Sequence, residues 1–86
     1  MTGSFEIRIT RRAKKEIQKL NPKLKIKLHE ILTETIAKNP FQGKKLIGDL
    51  EGSYSYRLNV KDRIVYSLNA QKRVVYVERA KTHYGA

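Results

Sequence analysis

Cysteine is absent from this sequence, and histidine and acidic residues are scarce: there are two His and eight Asp and Glu in 86 residues. Without cysteine the chain has no disulfide, no thiolate nucleophile and no sulfur ligand for a metal, which fits a reducing compartment such as the cytoplasm. His29 and His83 are far apart and no acidic cluster has ligand spacing, so we expect no metal site. The glycines do not form a phosphate-binding loop, and we expect no cofactor.

Long apolar runs are also missing. The first twenty residues carry six Lys and Arg among short apolar stretches, so we expect neither a signal peptide nor a membrane span. The length is that of a single domain, residues 1–86, with one core. We therefore expect a cytoplasmic protein that does not bind a membrane.

Positive charge is present in excess, because nineteen Lys and Arg give a formal net charge of +11. Such an excess destabilises a compact chain by self-repulsion unless a polyanion neutralises it. Nucleic acid is the leading class of partner, and a basic protein without such a partner is the alternative. The basic residues occur in both halves of the chain, which favours long-range attraction to a highly charged RNA assembly.

The hydrophobic period changes early in the chain. Residues 5–9 alternate apolar and charged, which predicts a half-buried strand. From Thr10, a suitable N-cap, apolar residues recur at helical spacing as far as Leu20. Asn21-Pro22 ends that helix and begins a second, which we expect to reach Ala37. So short a connection predicts an antiparallel helical hairpin.

Residues 41–52 contain three glycines and are interpreted as a loop. Three strands should follow, over residues 53–59, 62–69 and 72–79. The order of one strand, two helices and three strands predicts an α+β fold. In this fold the hairpin packs on one face of a four-stranded sheet, and the last three strands form an antiparallel meander.

Side-chain alternation assigns residues to the two faces of this sheet. If the helices cover the face that bears Tyr66, the uncovered face bears Ser55, Arg57 and Arg63. A three-residue turn places Arg57 directly opposite Arg63, and like charges so opposed destabilise an antiparallel pair. A phosphate gripped by both guanidinium groups would reverse that effect. The alternative is that one arginine points to solvent or pairs with Glu78.

His83 and Tyr84 lie near the end of the sequence. A histidine near a terminus is usually a surface side chain, but continuation of the last strand would bring His83 alongside the face that carries Arg57 and Arg63. Imidazole, with a pKa of about 6.5, suits proton transfer at neutral pH. His29 has no such neighbours and is interpreted as a helix-surface residue.

Several motifs follow the basic hairpin in a fixed order. They are Leu-x-Gly-x-Leu-x-Gly (46–52), Tyr-x-Tyr-Arg-Leu (54–58), Asp-Arg-Ile-Val-Tyr (62–66) and Arg-Ala-Lys-Thr-His-Tyr-Gly (79–85). Together they resemble the RelE/ParE superfamily of bacterial toxins, over essentially the whole chain. The resemblance is closest to the YoeB/Txe branch, whose chains end in His-Tyr.

This resemblance implies a function and residue roles. Toxins of the RelE and YoeB kind belong to type II toxin-antitoxin systems and are mRNA endonucleases of the ribosomal A site, in which the substrate 2′-hydroxyl attacks the adjacent phosphate. Arg63 would stabilise the pentavalent phosphorane and Arg57 would hold the phosphate. His83 would protonate the leaving 5′-oxygen, and Tyr84 would orient a base or phosphate. No metal is implied.

The general base stays open at this point. The YoeB branch has a glutamate in the loop before its second strand, where the shorter loop here has Lys44-Lys45. Glu51 in that loop, which we include among the catalytic candidates, and Glu78 on the last strand are the carboxylates to consider. The third possibility is that basic residues acidify the 2′-hydroxyl. Lys44, Lys45 and Ser55 are taken as further RNA- or phosphate-binding residues.

A second function also stays open, that of a non-catalytic ParE-like toxin that binds a topoisomerase. The terminal His-Tyr favours the RNA-cleaving branch, because the gyrase-directed ParE branch lacks that pair. Either function implies a cognate antitoxin, and the basic face predicts an acidic or amphipathic antitoxin segment. The first function also implies mRNA on the ribosome, in the A site of the 30S or 70S particle, as a partner.

Overall fold

The fold is α+β, as the sequence predicts. A computed structural model describes residues 4–46 and 52–82, the last two by their backbone alone. The helices are α1 (Arg11–Gln18) and α2 (Pro22–Glu30). The strands are β1 (Glu6–Ile9), β2 (Lys44–Lys45), β3 (Ser53–Arg57), β4 (Arg63–Asn69) and β5 (Val74–Thr82).

The described strands form one five-stranded sheet in the order β1-β5-β4-β3-β2. The predicted meander of β3, β4 and β5 is confirmed, and β1 lies parallel beside β5. The predicted number of four strands is one too few. The additional strand, β2, lies within the segment interpreted as a loop and pairs with β3 through two residues, Lys44 opposite Ser55 and Lys45 opposite Tyr54. Two lysines show no alternation of apolar and polar residues, so the sequence carries no strand signal there.

The helical hairpin begins where the capping residues predict. The Thr10 side chain accepts a hydrogen bond from the backbone N–H of Ala13 at 3.2 Å. Asn21 caps α2 in the same way, by accepting from Leu24 N–H at 2.9 Å, and Pro22 occupies the first turn. Within the described ranges, no helix is both long and apolar enough to span a membrane.

The second helix changes its winding before it ends. An α-helix to Ala37 was predicted, but α2 stops at Glu30 and a π-helical turn, Ile31–Ile36, continues it. The Ala37 N–H donates to the Leu32 carbonyl, five residues back, at 2.8 Å. The Thr33 hydroxyl donates to the His29 carbonyl at 2.8 Å, a contact that competes with regular helical bonding. Such π turns are frequent at functional sites.

The core lies between the helices and one face of the sheet, as expected. Its fully buried strand residues include Ile64, Tyr66, Val75 and Val77. The opposite face is less open than predicted, because Ser55 and its partner Val65 are only 3% and 1% exposed. Among the β3 residues of that face only Arg57 is exposed, because Ser53 and Ser55 are both buried.

The pairing of β5 with β4 contains two irregularities. Tyr66 lies opposite Val77, but Val65 lies opposite Arg79 and Arg63 opposite Thr82. Each step therefore adds one residue to β5 relative to β4, which is the signature of a β-bulge. The bulges place Thr82 beside Arg63.

The Tyr66 hydroxyl connects the core to the segment before β2. It donates to the Pro40 carbonyl at 2.6 Å, and Tyr54 stacks on the Tyr66 ring at 5.6 Å between centroids. Burial raises the pKa of Tyr66 to about 12, although a backbone hydrogen bond from Gly43 opposes the rise. A Cβ at Gly43 would collide with this hydroxyl and would lie 2.9 Å from the Ser55 carbonyl oxygen.

We predict that Gly43→Ala lowers the free energy of unfolding by about 1–3 kcal/mol, the usual effect of overpacking. In a Tyr66→Phe background the loss should be smaller, because the nearest colliding atom is then absent. Urea denaturation of the four members of this double-mutant cycle measures both effects. Gln42→Ala, at an exposed neighbour, is the control and should change stability by less than about 0.5 kcal/mol. A Gly43→Ala protein as stable as the wild type would contradict the packing described.

Candidate active site

A depression of about 520 Å³ lies where the helical hairpin, β2 and the ends of β3 and β4 meet. Four of its described lining residues are Lys or Arg and none is Asp or Glu. The lining residues are Lys27, Ile31, Gln42, Gly43, Lys44, Ser55, Tyr56, Arg57 and Arg63. This composition gives the depression a positive potential, which favours an anion over a cation.

Two of these cations face each other across neighbouring strands. Arg57 is directly opposite Arg63, which confirms the predicted register. Arg57 is exposed and Arg63 half-buried, and within residues 4–46 and 52–82 neither guanidinium group has a hydrogen-bond or ion-pair partner. Glu78, the predicted alternative partner, instead accepts a hydrogen bond from the Ser67 hydroxyl at 2.7 Å. The two arginines therefore present converging donors to the depression.

The loop between β3 and β4 fixes this register. The Asn59 side-chain oxygen accepts hydrogen bonds from the backbone N–H groups of Lys61 and Asp62 at 2.9 and 2.6 Å. The Leu58 N–H donates to the Asp62 carbonyl at 3.0 Å. Such an Asx turn holds a loop without help from the rest of the fold. The separation of Arg57 and Arg63 is thus set locally.

The structure brings Lys44 and Ser55 to the same depression as the two arginines. Lys45, which pairs with Tyr54, does not line it. Glu78 does not line it either. His29 is exposed on α2, as expected. The predicted catalytic residues Glu51, His83 and Tyr84 lie outside the described residues.

Apart from Tyr56 on β3, the lining residues that the sequence did not predict lie on α2, on the π-helical turn and just before β2. Lys27 and Ile31 are one helical turn apart on α2 and the π-helical turn, and Gln42 and Gly43 precede β2. The sequence carried a signal for Lys27, which is three residues after Leu24 and four before Ile31 and so borders the apolar stripe. Gln42 and Gly43 reach the site through the Tyr66 tether to Pro40, a long-range contact with no local signal.

The described residues offer no obvious metal site. No group of three or more His, Cys, Asp or Glu side chains is close enough there to hold an ion. The chemistry available in the described part of the depression is that of Lys, Arg, Ser, Gln and Tyr side chains.

Comparison with known proteins identifies relatives in sequence and in fold. The sequence model of one family, described as ParE-like toxin of type II bacterial toxin-antitoxin system, matches residues 7–85. No curated protein matches the chain significantly. The resemblance to the RelE/ParE superfamily, with YoeB-like members, is confirmed.

Three solved structures illustrate the similarity of fold. A chain of the toxin-antitoxin complex RelBE2 from Mycobacterium tuberculosis has a TM-score of 0.86 at 23% identity, over 96% of this chain and 95% of that one. The YoeB/ParE toxin from Agrobacterium tumefaciens gives 0.83 at 20% identity, over 93% and 100%. A chain of the YoeB-YefM complex from Staphylococcus aureus gives 0.76 at 27% identity, over 93% and 98%.

We predict that Arg57→Gln stabilises the free protein at low salt by about 0.2–1 kcal/mol, because it removes repulsion from Arg63. The gain should shrink at high salt, where the repulsion is screened. Chemical denaturation at two ionic strengths measures both effects. Lys72→Gln, at the opposite end of β4, makes the same change in net charge and is the control. An equal effect of the two substitutions would show that net charge, and not the opposed pair, is responsible.

Proposed function

We propose that this chain, which belongs to the family of ParE-like toxins of type II bacterial toxin-antitoxin systems, is a ribosome-dependent endoribonuclease that cleaves mRNA. The main support is the pair Arg57 and Arg63, opposed across β3 and β4 in a depression that also contains Lys27 and Lys44. A phosphodiester fits this site, because planar guanidinium groups bind phosphate oxygens through paired hydrogen bonds.

The proposed reaction uses a nucleophile from the substrate. The 2′-hydroxyl oxygen bonds to the adjacent phosphorus, the bond from phosphorus to the 5′-oxygen breaks, and a 2′,3′-cyclic phosphate and a 5′-hydroxyl result. Arg63 stabilises the charge on the phosphorane oxygens and Arg57 holds the phosphate. His83 gives a proton to the departing 5′-oxygen, and Tyr84 orients the substrate. The protein thus supplies positioning, charge stabilisation and proton transfer.

The proton of the 2′-hydroxyl has three possible acceptors. Glu78 is occupied by the Ser67 hydrogen bond and does not line the depression, which makes it the weakest of the three. Glu51 remains a candidate on sequence grounds. Four cations around the depression favour the third route, in which positive charge lowers the pKa of the 2′-hydroxyl and solvent takes its proton.

The outer surface of the hairpin supports attraction to a large RNA assembly. Neither α1 nor α2 has an acidic residue in its first turn, although cations near a helix N-terminus oppose the helix dipole. The cations of this surface are all exposed: Arg11, Arg12, Lys14, Lys15, Lys19, Lys23, Lys25 and Lys27. These cations repel one another and the helix N-termini in the free protein. A ribosome, as a dense polyanion, would attract them.

A cognate antitoxin is the proposed protein partner in the cytoplasm. The similar chains from M. tuberculosis and S. aureus come from a toxin-antitoxin complex and a YoeB-YefM complex. For the present chain we propose an antitoxin segment that is acidic or amphipathic and lies over the depression. Such a segment would neutralise the cations that the RNA requires.

The second candidate is a non-catalytic toxin that binds a topoisomerase. It is supported by the description of the matching family as ParE-like. The two functions differ in what is damaged. Expression of an mRNA endonuclease should arrest protein synthesis and leave cut messages, which primer extension maps. Expression of a topoisomerase inhibitor should damage DNA and leave messages intact.

We predict that Arg63→Ala lowers single-turnover cleavage on programmed ribosomes by about 10²–10³-fold, as expected when a ligand of transition-state charge is removed. Arg63→Lys should also be impaired, because an ammonium group cannot form the paired contacts of a guanidinium group. Lys72→Ala removes one positive charge far from the depression and should cleave like the wild type. Wild-type rates for Arg63→Ala would rule out its role at the phosphate.

We predict that His83→Gln slows cleavage by about 10²–10⁴-fold, the range for lost acid-base catalysis, with much less effect on ribosome binding. In the wild type the rate should fall as pH rises through the imidazole pKa, because only the protonated ring can donate. Single-turnover rates of both proteins from pH 5.5 to 8.5 give the comparison. If the variant retained the wild-type pH profile, His83 would not be the proton donor.

A further inference from the structure

The carboxylate of Glu16, on α1, binds the last strand through both of its oxygens. Arg79 donates to Oε2 from Nε and from Nη2, each at 2.8 Å. The backbone N–H of Ala80 donates to Oε1 at 2.9 Å. The Glu16 side chain is only 17% exposed, whereas the other described ion pairs, Glu6 with Arg8 and Glu34 with Lys38, are more than half exposed.

This contact lies at the irregular part of β5. Ala80 falls between the pairs Val65 with Arg79 and Arg63 with Thr82, where the register shifts. A bulge leaves backbone groups without a ladder partner, and Ala80 is fully buried, so an unpaired N–H there would be costly. Glu16 Oε1 accepts the hydrogen bond of the Ala80 N–H. Its other oxygen, Oε2, accepts from the side chain of Arg79, the preceding residue.

The register beyond the bulge determines what lies beside Arg63. Thr82 is opposite Arg63, and the next residue in the sequence is His83. A slip of one residue would move every following side chain to the other face of the sheet. Glu16, which is on α1 and outside the depression, therefore binds β5 two residues before the residue that lies opposite Arg63.

We propose that Glu16 is a positioning residue for RNA cleavage, which sets the register of β5 beside Arg63. The inference rests on the proposed function. A purely stabilising ion pair would affect the melting temperature and leave the chemical step of folded protein unchanged. A positioning residue affects the chemical step while ribosome binding, which depends on many cations, is retained.

The test compares Glu16→Gln with Glu34→Gln. Both remove one negative charge, but Glu34 pairs with Lys38 on an exposed helix surface. Arg79 and Ala80 bind different oxygens of Glu16, and glutamine replaces one of these oxygens with an NH₂ group, which cannot accept a hydrogen bond. The measurements are single-turnover cleavage on programmed ribosomes, ribosome affinity, and hydrogen exchange of the Ala80 amide, all well below the melting temperature.

For Glu16→Gln we expect cleavage about 10²-fold slower, the typical effect of small misplacements of reacting groups. Its ribosome affinity should equal that of Glu34→Gln, and its Ala80 amide should exchange faster than in Glu34→Gln. Arg79→Lys, which keeps the charge, the Glu16 carboxylate and its bond to Ala80, should retain more activity than Glu16→Gln.

Equal cleavage rates for Glu16→Gln and Glu34→Gln, with an active wild type, would overturn the inference and leave the proposed function intact. A wild type that cleaves no RNA would overturn the proposed function together with the catalytic part of the inference. Hydrogen exchange of Glu16→Ala, which removes both acceptor oxygens, still tests the structural part in that case, since unchanged exchange at Ala80 would overturn the role of Glu16 in the register.

Discussion

Repulsion among the Lys and Arg side chains is the constraint on which this structure depends. With nineteen basic and eight acidic residues, most cations have no carboxylate available, and two of the three described ion pairs are largely exposed and contribute little. Folding must therefore draw on apolar burial between the hairpin and the sheet. Glu16, the acidic residue of α1, accepts a hydrogen bond from the backbone N–H of Ala80 at the bulge of β5.

The core and the depression are mechanically connected through Tyr66. Its ring belongs to the core, whereas its hydroxyl holds the Pro40 carbonyl and thereby the segment that supplies Gln42 and Gly43 to the depression. The opposition of Arg57 and Arg63 depends on a different contact, the local Asx turn at Asn59. Two independent supports, one long-range and one local, thus fix opposite walls of the depression. This arrangement keeps the cations in place in the free protein, despite their repulsion.

Local patterns explain which features the sequence predicts. The caps at Thr10 and Asn21, the meander and the opposition of Arg57 and Arg63 follow from capping chemistry, alternation and turn length, all of which act over a few residues. Strand β2, the lining residues Gln42 and Gly43 and the bulges of β5 depend on contacts between distant segments. The Glu16 contact is of the same kind, since nothing near Glu16 or Arg79 in sequence indicates that they meet. Resemblance to known toxins supplies roles for His83 and Tyr84 that periodicity alone does not.

Strand β2 is an outermost strand of the described sheet, and its two residues are both lysine. A free strand edge can add strands from other molecules, and short, lysine-bearing edges resist this form of aggregation. Lys44 therefore has two roles: it lines the depression, and it protects the edge of the sheet. Neutral substitutions at both lysines would weaken the protection of the edge, and the substitution at Lys44 would also remove a charge from the depression. Protection of the sheet edge and the charge of the depression therefore depend on the same short segment.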